Sequence, residues 1–184
     1  IYVHGEPGMG KSRLAFEAQR RLPPEAPVTW LTGQADQLNR APLSAFRYFL
    51  RPYFGQHREV DTARNLAAFE TAFAGLVALS DDSNRADLLL YRSYLAGVVG
   101  LVISDSPYAA ADERLRIDNS LAAIKAWARA ESQRQPLVLH LEDAQWFDPI
   151  SLSAVQQLTY NMENVPVALL LTCRYQDDGS PYTI

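Results

Sequence analysis

The residue run most suited to chemistry is Gly5–Ser12, which reads GEPGMGKS and matches the spacing G-x-x-x-x-G-K-S. The apolar stretch Ile1–Val3 precedes it, and a helical pattern continues from Arg13. Glycine lets the backbone turn tightly, so that successive N–H groups point inward at an anion. The helix that follows directs its positive dipole end at the same point. The run therefore predicts a phosphate-binding loop between a strand and a helix.

Two side chains of this phosphate loop (Gly5–Ser12) carry its chemistry. Lys11 supplies a point charge to the β- and γ-phosphates of a nucleotide, and the Ser12 hydroxyl is placed to ligate Mg²⁺. The alternative interpretation is a glycine-rich turn with Lys11 in solvent. The predicted cofactor-binding residues are Gly5, Glu6, Pro7, Gly8, Met9, Gly10, Lys11, Ser12 and Arg13.

A second candidate is a pair of acids that ends an apolar run. Leu137–Leu141 predicts a buried strand, and Glu142 and Asp143 follow it. Carboxylates at the carboxyl end of a parallel strand project into the ligand crevice of the sheet. One acid can hold Mg²⁺, and the other can polarise the water that attacks a γ-phosphate. Chain order assigns the metal to Glu142 and the water to Asp143, although Asp is usual at the metal position. Which acid takes which role stays open. The alternative interpretation of the pair is an ordinary strand end with two exposed acids.

The third candidate site is the end of the last apolar run, Leu169–Arg174, where a hydroxyl residue and then an arginine follow the leucines. Arg174, with Thr172 two residues before it, would reach the γ-phosphate side of the crevice. An arginine there can sense or stabilise the phosphate charge. The predicted catalytic residues are therefore Asp143, Glu142, Lys11 and Arg174, and the predicted metal ligands are Ser12 and Glu142. The alternative for Arg174 is a surface arginine after a strand.

The elements that must position these residues alternate between strands and helices. Short apolar runs predict buried parallel strands at Ile1–His4, Val28–Thr32, Leu137–Leu141 and Val165–Thr172. Helical periodicity separates them over Lys11–Arg21, Pro42–Phe54, Ala63–Leu79, Asp87–Val99, Asp112–Gln133 and from Asp148-Pro149 to about Met162. We expect a break at Asp81–Asn84 and a loop over Ser104–Ala110. This alternation predicts an α/β domain.

Composition bounds the function classes. The chain has 184 residues, a formal net charge of −4 and no basic cluster, so we expect no direct nucleic-acid binding. Cys173 is the single cysteine, which excludes an internal disulfide and favours a cytoplasmic location. We interpret it as a small buried hydrophobe. No apolar run is long enough to span a membrane. Because the chain opens on a core strand, we also expect it to be a fragment of a longer polypeptide.

These motifs together resemble the STAND ATPases of the AAA-like superfamily, and more narrowly the ATPase modules of large bacterial transcription activators and of cyclase- or tetratricopeptide-linked regulators. The resemblance is carried by Gly5–Leu14, by LVLHLEDAQWFDPIS at Leu137–Ser151 and by Leu171–Arg174, with support from APLSAFR at Ala41–Arg47. It covers most of the chain and is weakest between Gln56 and Asp105.

The resemblance implies a P-loop NTPase three-layer sandwich, with a parallel sheet of about five strands, flanking helices and a helical insert over residues 56–135. It implies ATP and Mg²⁺ as cofactors and a sensor role for Arg174. Gln145 would face the γ-phosphate, and Trp146 is interpreted as packing. The segment that contacts adenine and the helical lid of the family are not matched. The insert helices are interpreted as core packing rather than as a partner surface.

The sequence thus predicts a single ATPase core, residues 1–184, that binds and hydrolyses ATP as a regulatory switch in a larger signalling or transcription-regulating protein. Its partners would be other domains of the same polypeptide and further copies of itself, in a nucleotide-dependent way, with no membrane. One alternative is a nucleotide-binding module with little turnover, and another is a P-loop kinase acting on a small molecule.

Overall fold

The computed structural model describes residues 1–25, 27–38, 41–176 and 179–180. The strands are β1 (Tyr2–His4), β2 (Thr29–Gln34), β3 (Leu137–Glu142) and β4 (Val167–Cys173). The helices are α1 (Lys11–Arg20), α2 (Ser44–Tyr53), α3 (Thr62–Leu79), α4 (Asp82–Val99), α5 (Pro107–Ala110), α6 (Glu113–Arg134) and α7 (Pro149–Thr159). A 3-10 turn covers Ala144–Trp146.

The sheet is parallel throughout and has the order β1-β4-β3-β2. Strand β4 therefore lies between β1 and β3, although it comes last in the chain. Because all strands run the same way, the segments that follow β1, β3 and β4 leave the sheet at one edge. The predicted α/β sandwich is confirmed, and the described residues contain four strands where about five were expected.

The hydrophobic core lies between the sheet and helices α2, α3, α4, α6 and α7, which supply most of its buried side chains. Leu137, Leu139 and Leu141 alternate along β3 and are fully buried there. Trp127 of α6 is fully buried in the same core. On β2, a side chain at Gly33 would collide with a backbone carbonyl of α2, so the helix approaches the sheet closely at this point. Helix α1 is mostly exposed by contrast.

Within the described residues, every regular element between β2 and β3 is a helix. Phe69 and Phe73 of α3 and Leu88 of α4 are buried in the core, as the packing interpretation predicted. No helix in the described ranges combines the length and the apolar character that crossing a lipid bilayer requires.

Two expectations about helix ends need correction. The expected break at Asp81–Asn84 exists but is shorter and earlier: α3 ends at Leu79 and α4 begins at Asp82, because the Asp81 carboxylate caps it by accepting a hydrogen bond of 2.8 Å from the N–H of Asn84. The expected loop Ser104–Ala110 contains α5, where Ser106 is the N-cap and Pro107 follows it. The start predicted at Asp148 is confirmed: its carboxylate accepts hydrogen bonds from the N–H groups of Ile150 and Ser151.

Candidate active site

The phosphate loop leaves β1 after His4 and enters α1 at Lys11. Gly8 and Gly10 have φ angles of 82° and 86°, which other residues adopt only with strain. The first helical hydrogen bond runs from the N–H of Leu14 to the carbonyl of Gly10, at 2.8 Å. The two glycines are therefore needed for the turn that presents the start of α1 and its free N–H groups at this edge.

The Lys11 side chain folds back over the loop. Its Nζ donates hydrogen bonds to the carbonyls of Gly5 at 2.7 Å and Glu6 at 3.1 Å. In the part of the chain that the structure describes, Lys11 forms no salt bridge. Both acceptors are neutral, so the ammonium charge above the loop is not compensated by a carboxylate and can attract an anion.

The remaining predicted loop contacts are open to solvent. Glu6, Pro7, Met9 and Ser12 are all exposed, which leaves the Ser12 hydroxyl in the first turn of α1 accessible. The Arg13 guanidinium instead forms an ion pair of 3.2 Å with Glu17 along α1. Its predicted contact with a nucleotide would have to replace this exposed pair, which contributes little to stability.

Glu142 and Asp143, the acidic strand end, differ in their backbone conformation. Glu142 is the last residue of β3, whereas Asp143 leaves the sheet with φ 55° and ψ 46° and begins the 3-10 turn. A left-handed conformation is uncommon for a residue other than glycine and is concentrated at functional sites. The chain changes direction at this turn, so the carboxylates of Glu142 and Asp143 leave the edge of the sheet in different directions.

A buried histidine borders the first of these acids, a contact that sequence analysis missed. The Nε2 atom of His140 lies 3.7 Å from Oε1 of Glu142. Burial lowers the pKa of His140, which keeps the ring neutral at pH 7. The imidazole therefore does not neutralise Glu142. The two residues lie two positions apart on one strand, which places them on the same face of the sheet, and this spacing was the available signal.

The Gln145 side chain joins two of the predicted catalytic residues. Its Nε2 donates a hydrogen bond of 3.0 Å to Oδ1 of Asp143. Its Oε1 accepts a hydrogen bond of 3.1 Å from the backbone N–H of Arg174. Gln145 bridges the ends of β3 and β4, and its predicted position facing a γ-phosphate stays a prediction. Gln145 thus fixes the position of the Asp143 carboxylate relative to the strand that carries Arg174.

The end of β4 is buried at Thr172 and Cys173 and becomes exposed at Arg174. Thr172 pairs with Val3 of β1 in the parallel register, which places Arg174 beside the start of the phosphate loop. The Cys173 Sγ lies 3.1 Å from Nδ1 of His4, and burial raises the pKa of the thiol. The thiol is therefore protonated and inaccessible, as expected for a packing residue.

A cleft of about 760 Å³ adjoins these residues on the side of β2 and α2. Asp143 and Trp146 form one wall, and residues of α2 form another, among them Arg47 and Arg51. Trp146 also packs against the core, as predicted. Sequence analysis did not single out Arg47 or Arg51 as site residues. Their spacing of four on one helix face was the only local signal, and their place beside Asp143 depends on long-range packing.

The oxygen donors at this edge suit Mg²⁺, which prefers hydroxyl, carboxylate and phosphate oxygens and keeps several waters. Ser12 and Glu142 offer one hydroxyl and one uncompensated carboxylate. Among the described residues, no group of three or more His, Cys, Asp or Glu side chains could hold a metal ion by itself. An ion held by Ser12 and Glu142 would therefore need further oxygens, such as those of a bound phosphate.

Comparison with known proteins gives one result. The family model described as AAA ATPase domain matches residues 1–171. No curated protein and no solved structure matches the chain. The matched range contains the phosphate loop, the acidic strand end and most of β4, which are the parts that form the edge described above. Because the match extends over far more than half of the 184 residues, the chain belongs to the AAA ATPase domain family.

Proposed function

We propose that this domain binds ATP with Mg²⁺ at the phosphate loop, hydrolyses it slowly and serves as a regulatory switch in a larger protein. The observation that carries the proposal is the strand order β1-β4-β3. It brings the phosphate loop, Arg174 and the acidic strand end to one edge of a parallel sheet, which is where such sheets bind ligands.

The loop and its lysine would hold the substrate. The N–H groups at the start of α1 and the ammonium of Lys11 bind the phosphates, and Lys11 exchanges its two carbonyl acceptors for phosphate oxygens. Ser12 and Glu142 would hold Mg²⁺. When bound, the ion neutralises phosphate charge that develops during the reaction.

The turn after β3 would carry the chemistry. Asp143 accepts a proton from the water that attacks the γ-phosphate, and Gln145 keeps this carboxylate in place. Arg174 lies on the neighbouring strand end, where its charge stabilises the γ-phosphate oxygens. Since Gln145 also accepts from the N–H of Arg174, loss of the γ-phosphate would disturb both strand ends together.

This linkage is the basis for the proposed switch. A change at the ends of β3 and β4 would be transmitted to other domains of the same polypeptide and to further copies of the chain, as in the STAND type. Cytoplasmic signalling or transcription regulation is the proposed setting. The alternative, a module that holds nucleotide with little turnover, differs only in whether Asp143 activates water.

Single-turnover release of phosphate distinguishes the ATPase from the nucleotide-binding module with little turnover. With enzyme in excess over labelled ATP, the wild-type chain should release phosphate, and Asp143→Asn should bind ATP but retain it uncleaved. Asp118→Asn is the matched control, because Asp118 is an exposed acid on α6. Equal and negligible release from all three proteins would favour the binding module over the ATPase.

A small-molecule kinase is supported by one observation, the cleft beside Asp143 with its three arginines, Arg47, Arg51 and Arg58. Such a cleft could hold a phosphate acceptor in place of water. The family and the acidic strand end favour water instead. Labelled phosphate that appears in an added metabolite rather than free in solution would identify the kinase.

A further inference from the structure

The cleft beside the proposed catalytic centre has the size and position of a second ligand site. Its volume of about 760 Å³ lies within the range of small-molecule pockets, roughly 300–1,000 Å³. It is separate from the phosphate loop, since none of Gly5–Ser12 lines it. Asp143 and Trp146 belong to its wall, so a molecule bound there would lie next to the group proposed to activate water.

The charged side chains that line the cleft are three arginines and two carboxylates: Arg47, Arg51, Arg58, Asp36 and Asp143. Two of the arginines belong to α2 and are held in place by hydrogen bonds. The Nε of Arg47 donates to the carbonyl of Val98 at 2.9 Å, and the Nε of Arg51 donates to that of Val99 at 3.1 Å. Both side chains are half-buried. These bonds fix the two guanidinium groups against the end of α4, so that binding a ligand requires little further ordering of either side chain.

The positive charge of this pair is not balanced by an ion pair. Within the described ranges of the chain, neither arginine lies within salt-bridge distance of a carboxylate. Burial and the neighbouring charge of Arg51 lower the pKa of Arg47, and interactions with Tyr108 and Asp148 oppose this shift without cancelling it, which agrees with a partly desolvated and incompletely compensated pair. Half-buried guanidinium groups that keep free N–H donors form strong hydrogen bonds with phosphate and carboxylate oxygens.

We propose that this arginine cleft, defined by Arg47, Arg51 and Asp143, binds a small organic anion that carries a phosphate or a carboxylate group. Occupation of the cleft slows ATP hydrolysis. The added negative charge lies beside Asp143, where it opposes the approach of the charged γ-phosphate and removes the positive potential of the two arginines. This second effect rests on the proposed ATPase function, whereas binding of the anion does not.

Binding is tested without reference to ATP in a Lys11→Ala background, which weakens anion binding at the phosphate loop. The probes are sn-glycerol 3-phosphate and succinate, which separate a phosphate ligand from a carboxylate ligand in isothermal titrations. At least one probe should bind, and Arg47→Gln or Arg51→Gln should weaken it about tenfold, as expected for loss of a charge-assisted contact. Arg129→Gln is the matched control, because Arg129 is also half-buried and donates from Nη2 to the carbonyl of Asn161, in a different part of the molecule from this cleft.

A measurement on the chain with both arginines intact covers the case in which a variant does not fold. The side-chain Nε–H resonances of Arg47 and Arg51 should shift on titration with the bound probe, while that of Arg129 stays in place. The proposal is overturned if neither probe binds, or if binding is the same after either glutamine substitution. It is also overturned if Arg129→Gln weakens binding equally.

Turnover provides the test of the second effect. The probe that binds should lower the steady-state rate of ATP hydrolysis by the wild-type chain, and Arg47→Gln should reduce this inhibition. Binding without inhibition overturns the coupling to Asp143 and leaves the binding site intact. Transfer of phosphate to the probe overturns the role as an inhibitor. Absence of any ATP hydrolysis with retained probe binding contradicts the proposed function alone.

Discussion

Replacing Gln145 by alanine should slow catalysis while leaving nucleotide affinity nearly unchanged. The substitution removes the hydrogen bond from Nε2 to Asp143 at 3.0 Å and the acceptor for the Arg174 N–H at 3.1 Å. Neither lost contact involves the phosphate loop. Asp143 keeps its left-handed backbone, because the 3-10 turn is held by the hydrogen bond from the N–H of Trp146 to its carbonyl at 2.9 Å.

The expected decrease in kcat is calculated from the two hydrogen bonds that the substitution removes. A hydrogen bond to a carboxylate contributes about 1.5 kcal/mol at the low end of its range, and a neutral one contributes about 0.5 kcal/mol. We use the low ends because Gln145 is half-exposed and water can replace part of each contact. A total of about 2 kcal/mol in the positioning of Asp143 corresponds to a decrease of about 30-fold in kcat.

The assay is steady-state phosphate release over a range of ATP concentrations, together with equilibrium binding of ATP. Gln145→Ala should lower kcat by about 30-fold and change ATP affinity less than twofold. Gln157→Ala provides the control, since Gln157 is exposed on α7. The reasoning is refuted if Gln145→Ala retains the wild-type kcat, or if its loss of activity is explained by a matching loss of ATP affinity.

Three further predictions concern the scaffold. Gly33→Ala should lower the free energy of unfolding by about 2–3 kcal/mol in urea titrations, because its Cβ would collide with a backbone carbonyl of α2. Gly75→Ala is the control, because a Cβ at this position meets nothing within 4 Å, and it should raise the free energy of unfolding by up to about 1 kcal/mol. Equal effects of the two substitutions would contradict the close approach of α2 to β2. Asp148→Ala removes a buried N-cap and should lower the free energy of unfolding, measured by thermal unfolding, by about 2 kcal/mol. Asp112→Ala removes an exposed N-cap and should lower it by less than about 1 kcal/mol. The reverse order would contradict the role given to burial. Cys173 should react with a thiol reagent at pH 8 on the order of 100-fold more slowly in the folded chain than in urea, because burial blocks access to the thiol and raises its pKa. Rapid labelling of the folded chain would show instead that the end of β4 is open to solvent.

The local signals in the sequence were sufficient to predict that Gly5–Ser12 lies between a strand and a helix and that Glu142 and Asp143 follow a buried strand. The phosphate loop and the acidic strand end could be predicted because their residue types are fixed by turn geometry and by phosphate and metal chemistry. The same signals were present but missed elsewhere. Ser106-Pro107 has the cap chemistry that identified Asp148-Pro149, and Asp81 caps α4 in the same way.

Other features depend on packing between distant parts of the chain. The arginine cleft requires α2 to lie against the end of α4, through bonds from Arg47 and Arg51 that span about fifty residues of sequence. The Gln145 bridge requires β3 and β4 to be neighbours in the sheet, which chain order alone does not reveal. Periodicity and caps describe single elements, and they contain no information on which elements meet.

Nucleotide binding at the phosphate loop is tested most directly by equilibrium binding of ATP, with and without Mg²⁺, to the wild-type chain and to Lys11→Ala. We expect Mg²⁺-supported binding by the wild type and at least tenfold weaker binding by the variant, because the substitution removes a charge above the loop that no carboxylate compensates. Arg20→Ala, which removes an exposed charge at the far end of α1, should bind as the wild type does. Absence of ATP binding by the wild type, or equal binding by Lys11→Ala, would contradict the assignment of the phosphate loop.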